Sequence, residues 1–171
     1  MTPPMEPLAE TVIEDDRWAA PDLPALAERA CRAAFAALDL VPDGFSICVM
    51  GCDDARIATL NAGFRGRPRP TNVLSWPSRT LERPAPGADP RRPEPGHRED
   101  PEHVGDIALA WETCEREADE QKKTFQDHVL HLIVHGTLHC LGYDHENDAD
   151  AMRMEALEVH ALATLGVENP Y

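Results

Sequence analysis

No apolar run in this chain approaches the roughly 20 residues needed to cross a bilayer, so a membrane-embedded protein is not expected. Residues 1–16 are acidic and proline-bearing, and lack the positive start and apolar middle of a secretory signal. Cysteine is sparse as well. The five present (Cys31, Cys48, Cys52, Cys114, Cys140) are odd in number and form no Cys-x-x-Cys pair. That pattern argues against a secreted disulfide framework and for a reducing cytoplasm. Positive charge is scarce too: 16 Lys and Arg stand against 31 Asp and Glu, a formal net charge of −15. A chain so acidic is not expected to bind polyanions nonspecifically. No internal repeat is visible. At 171 residues the chain suits one domain, large enough to bury a core without staples.

Acid itself is missing from one stretch. Residues 55–81 contain no Asp or Glu but include Arg56, Arg65, Arg67, Arg69 and Arg79. Such an island can hold a phosphate backbone locally, or can simply solubilise a loop.

Hydrophobic periodicity and turn chemistry predict the elements. Short strands are expected at 10–14, 45–50, 71–76 and 104–110. Helices are expected from the cap Asp22 to about residue 38, from Asp53 or Asp54 through Ile57, Leu60 and Phe64, and over 112–122. Two more follow, one from Thr124 to Leu141 and one from Asn147 or Asp148 to Gly166. In the last, Met154, Leu157, Ala161 and Leu165 form the apolar stripe. Residues 78–103 are crowded with Pro, Arg, Glu, Gly and Asp, and their composition predicts a disordered surface loop. The expected architecture is α+β: a single layered domain over 1–171, with a mixed sheet of about four strands and about five helices. The helix that starts at Thr124 is expected at its centre.

That helix carries the chemistry. His135 and His139 are four apart and share one helix face, and Gly142 supplies a residue able to adopt the left-handed conformation that ends a helix. The reversal can bring His145 back towards the other two. Three converging neutral imidazoles leave a fourth coordination position open, as catalytic zinc sites do. One zinc ion per chain is the expected cofactor, and another first-row divalent ion is chemically possible. Cys140 points off the shared face and suits a small core residue; His97 and His103 lie in or beside the loop and are not assigned to the metal. His128 and His131 suit packing or surface positions better than a place around the metal. The pattern His135, His139, Gly142, His145 also matches metzincin peptidases, which place a glutamate base directly after the first histidine. Here that position is Gly136, so peptide hydrolysis is disfavoured.

The run His135-Gly136-x-Leu138-His139-x-x-Gly142-Tyr143-Asp144-His145 resembles the signature of the YbeY family of bacterial endoribonucleases and ribosomal RNA maturation factors. So do Leu60-Asn61-x-x-Phe64-Arg65-Gly66-Arg67 with Pro70-Thr71-Asn72-Val73-Leu74-Ser75-Trp76-Pro77, the triplet Gly105-Asp106-Ile107, and the segment from Met154 to Gly166. The similarity spans most of 45–171; the 78–103 segment is longer and richer in proline than the family pattern. The resemblance implies a cytoplasmic, metal-dependent endoribonuclease acting on single-stranded RNA. It also implies maturation of the 3′ end of small-subunit ribosomal RNA and a part in ribosome quality control, with ribosomal RNA and small-subunit proteins as partners. His135, His139 and His145 fall on the family's metal ligands and Arg65 on its essential arginine. Arg67 and Asn72 come along as substrate-side candidates. Asp144 falls on the family's aspartate beside the third ligand, where it is expected to accept from an imidazole N–H and fix its tautomer. Two other functions use the same residues: an RNA-binding assembly factor with a structural metal, and a metallohydrolase of other phosphoesters or of peptides.

Overall fold

A computed structural model describes residues 6–65, 70–79 and 85–171; the side chains of Phe64 and Arg65 fall outside it. Strand β1 (Ala9–Ile13) is followed by a short 3-10 turn (Asp16–Ala19), helix α1 (Leu23–Ala37) and strand β2 (Phe45–Cys52). Helix α2 (Asp54–Arg65), strands β3 (Val73–Pro77) and β4 (Glu102–Ala110), and helices α3 (Trp111–Glu120), α4 (Phe125–Cys140) and α5 (Asp148–Thr164) complete the order.

The strands form one mixed sheet in the order β1-β2-β4-β3, with β1, β2 and β4 parallel and β3 antiparallel to β4. Parallel pairing of β1 and β2 requires a crossover, which α1 supplies. Phe45–Cys52 is buried along nearly its whole length rather than at alternate residues, because both sheet faces are covered. The larger core joins Ile47, Val49, Ile107 and Leu109 to apolar residues of α1, α4 and α5. On the opposite face a smaller cluster of Cys52, Ile57, Leu74, Ala108 and Ala110 seats α2.

Helix starts follow the expected chemistry. Oxygens of Asp22, Asp53, Thr124 and Asn147 accept from backbone N–H groups of Ala25, Arg56, Asp127 and Asp150 at 3.4, 2.7, 3.1 and 2.9 Å. Gly142 takes φ 103°, the conformation its place after α4 demands. At Gly51 the backbone passes so close to Trp18 that a Cβ would fall 2.5 Å from its ring. The fully buried Trp18 donates its Nε1–H to the Cys52 carbonyl at 2.9 Å and packs against Trp111 and Phe125.

Residues 85–101 form no helix or strand, but polar bonds tie them to the body. The Gly96 and Glu102 N–H groups donate to the Gly44 carbonyl at 2.9 and 2.8 Å, and Arg92 donates to the carbonyls of Leu38 and Asp39. Asp89 accepts from Arg153 Nε at 2.8 Å and from the Tyr143 hydroxyl at 3.2 Å.

The edge strand β1 is fastened to α1 by one carboxylate. Glu28 accepts from the N–H groups of Leu8 and Ala9 at 3.0 and 2.8 Å and pairs with Arg32. Burial alone would raise its pKa; the two backbone donors and the guanidinium outweigh this and hold it below the usual glutamate range. A carboxyl lowered in the folded state contributes stability above its unfolded pKa, and loses it as pH falls through the native value. Glu28→Gln is therefore expected to cost about 1–2 kcal/mol at neutral pH in urea unfolding. The gap between parent and variant should close as pH falls below the ordinary glutamate range.

Candidate metal centre

Helix α4 packs against α1, α3, α5, β3 and β4, and Leu130, Ile133, Val134 and Leu138 are buried. A helix so enclosed presents fixed side chains at its one open edge. There His135 and His139 are half-buried, and His145, delivered by the turn after Gly142, is exposed. One ring nitrogen from each of the three lies within 4.8 Å of the others, and the ring centroids are 4.5 to 5.5 Å apart. The spacing that suggested three converging imidazoles is realised in space.

The proton inventory of these rings is decisive. His135 Nδ1 lies 2.7 Å from Glu158 Oε1, a carboxylate oxygen that can only accept. His139 Nδ1 lies 2.9 Å from the Tyr143 carbonyl, which also can only accept. His135 and His139 thus both turn Nδ1 to an acceptor, and their Nε2 atoms point the other way. Those two Nε2 atoms face each other at 3.0 Å. Burial, then the neighbouring His135 and His145, pushes the His139 pKa down to about 4, so its ring is neutral near pH 7. With one nitrogen of His145 the two Nε2 atoms converge on one space, and three imidazole donors so placed suit a first-row divalent ion. The residues fit a metal.

Two of the groups holding these rings were not expected from sequence. Glu158 is buried in the middle of the α5 stripe, beside Leu157 and four residues after Met154. A carboxylate inside an apolar stripe was the available signal. Its burial favours the neutral acid, but hydrogen bonds from His131, His135 and Tyr171 reverse that and hold it at about 2. The other group, the Tyr143 carbonyl, is backbone, which side-chain patterns do not reveal. Tyr143 also reaches the other way, through its hydroxyl, to Asp89.

The remaining candidates are placed as follows. Asp144 accepts from the backbone N–H of His145 at 2.7 Å, so its bond goes to the turn carrying the third histidine rather than to an imidazole N–H. Asn72 Nδ2 donates to Glu117 at 3.0 Å, and the same oxygen lies 2.9 Å from His128 Nε2, which ties the start of β3 to α3 and α4. Arg65 closes α2, but its side chain, like the whole of Arg67 and Arg69, lies outside the described residues. Of the basic island, Arg56 pairs with Glu14 and Arg79 with Glu102. Cys140 is buried with its thiol pKa raised to about 12, so it stays protonated and is no thiolate ligand.

The family described as Endoribonuclease YbeY matches residues 12–166. This chain belongs to that family. It is 61% identical to Endoribonuclease YbeY of Cereibacter sphaeroides over 167 residues, covering 98% of this chain and 100% of the relative. It is 55% identical to Endoribonuclease YbeY of Dinoroseobacter shibae over 179 residues, covering 100% and 97% of the two chains. Among solved structures, the solution structure of TM1509 from Thermotoga maritima superposes with a TM-score of 0.53 at 22% identity, covering 92% of this chain and 91% of that one. That likeness concerns the fold. Among the described residues no helix is long and apolar enough to cross a membrane.

Gly136 stands where a metzincin places its glutamate base, and the packing explains the glycine. A Cβ there would meet three carbons of Ile107 at 3.1 to 3.3 Å, because this face of α4 lies directly on β4. A carboxylate at 136 would enter the core and miss the open edge. Gly136→Glu is expected to lose several kcal/mol of stability, on the order of the cost of an unpaired buried charge. It should gain no peptide hydrolysis, as thermal unfolding and a casein assay would show.

Proposed function

We propose that this chain is a metal-dependent endoribonuclease, its metal held by His135, His139 and His145. The observation that carries the proposal is the convergence of the three imidazoles, with the Nε2 atoms of His135 and His139 3.0 Å apart, in a chain whose relatives bear the name endoribonuclease. Zinc is the ion of choice for three neutral imidazoles and an open fourth position. When bound, the ion supplies Lewis acidity towards a phosphoryl oxygen.

The chain's own residues do the rest. His135 and His139 would bind the metal through Nε2, their Nδ1–H groups donating to Glu158 and the Tyr143 carbonyl, so neither ring turns as charge builds. The absence of a carboxylate at 136 removes the peptidase base. Arg65 is the residue proposed to grip the scissile phosphate, its planar guanidinium matching two phosphoryl oxygens as negative charge develops. Arg67 would extend that grip along a single strand. Asn72, engaged with Glu117, would hold β3 beneath it. The substrate proposed is single-stranded RNA at the 3′ end of small-subunit ribosomal RNA, in the cytoplasm. The acidic surface suits the basic proteins of the small subunit.

Arg65→Ala should retain bound zinc and lose roughly 100-fold or more in cleavage of a single-stranded RNA. Equal rates for variant and parent would remove Arg65 from the reaction. Chelator-stripped protein should keep its far-UV spectrum, since α4 is held by the apolar core, and should lose cleavage until zinc is returned. Cleavage that persists without metal would refute the metal-dependent proposal.

A further inference from the structure

A charged carboxylate at 1% exposure normally has a Lys or Arg beside it. Glu158 has none among the described residues. The groups around it are His135 Nδ1 at 2.7 Å and His131 Nε2 at 3.4 Å on one oxygen, and the Tyr171 hydroxyl at 2.6 Å on the other. All three are donors, and none is a permanent cation. Both carboxylate oxygens are thus bonded, with no permanent cation beside them among the described residues. Of the two imidazoles on Oε1, His135 is the nearer, and the opposite nitrogen of that ring faces the proposed metal position.

We infer that Glu158, seated by Tyr171 and His131, is a positioning residue that sets how tightly the three-imidazole centre holds its cation. The inference rests on the metal site proposed above. Accepting the His135 Nδ1 proton fixes the tautomer and draws electron density towards Nε2, which strengthens it as a donor. The buried charge also lies one imidazole away from the ion and offsets part of its charge in a medium that screens poorly. Tyr171 contributes at one remove: by donating to Oε2 it leaves Oε1 turned towards His135, so a residue distant in sequence from the histidines belongs to the site. His131 Nε2 lies 3.4 Å from Oε1 and 3.4 Å from the Tyr171 hydroxyl, so the ring packs between the carboxylate and the tyrosine that seats it.

The test uses the full chain, stripped of metal, as parent, Glu158→Gln and Tyr171→Phe. Zinc affinity is measured by competition with a chromophoric chelator. Cobalt(II) is titrated separately and its visible absorption recorded, and each metal-free form is melted. Glu158→Gln should weaken zinc binding by about 10–100-fold, with an altered cobalt spectrum. Tyr171→Phe should weaken it less and in the same direction. Both metal-free variants should melt below the metal-free parent, Glu158→Gln the more so, because each removes hydrogen bonds of a buried carboxylate, so the affinity and the cobalt spectrum carry the decision. Unchanged affinity in Glu158→Gln overturns the inference, as does a lowered melting point with affinity and cobalt spectrum intact. Should Glu158→Gln not fold, Tyr171→Phe decides alone, and unchanged affinity there overturns it. A parent that binds neither ion refutes the metal site itself, an outcome distinct from either.

Discussion

Two imidazole rings held with their Nε2 atoms 3.0 Å apart are a demanding arrangement, and the surrounding structure is organised to impose it. Each ring is locked from behind by an acceptor, and both rings ride on one helix whose other faces are buried. The helix can sit that deep because its contact face is thinned where it touches the sheet. Gly136 lies on Ile107, and at Gly105 a Cβ would fall 2.5 Å from the Cys140 sulfur. Close approach of backbone to backbone is what holds the two nitrogens in register. The apolar core and the reactive edge are two sides of one packing solution.

What could be read from sequence was whatever local chemistry decides. The caps Asp22, Asp53, Thr124 and Asn147 act on backbone groups three residues away, and Gly142 ends α4 through its own φ, so each was legible. The sheet of four strands and the five helices followed from periodicity. The convergence of His135, His139 and His145 was legible because a helical turn and a reversal are both local. Glu158 was not, since its partner lies 23 residues earlier on another helix. Asp144 illustrates the same limit from the other side: an aspartate beside a histidine suggests an imidazole bond, but the backbone N–H of its neighbour was nearer. Asn72 likewise found Glu117, 45 residues away, through tertiary packing alone.

Charge is distributed with similar economy. A net charge of −15 repels nucleic acid at long range, so attraction to RNA has to be local. Arg56 and Arg79 are matched by glutamates of the body and are not spent on a ligand. That division favours selective contact over tight nonspecific adhesion.

The antiparallel pairing of β3 with β4 has a consequence for chain length. The Ser78 N–H donates to the Val104 carbonyl, so both ends of the proline-rich segment are pinned side by side. What lies between is then the connection of a β-hairpin, and closing such a loop costs only about 0.6 kcal/mol more for each doubling in residues. Residues can be gained or lost there with little effect on the sheet so long as the bonds that tie Asp89, Arg92 and Gly96 to the body are kept.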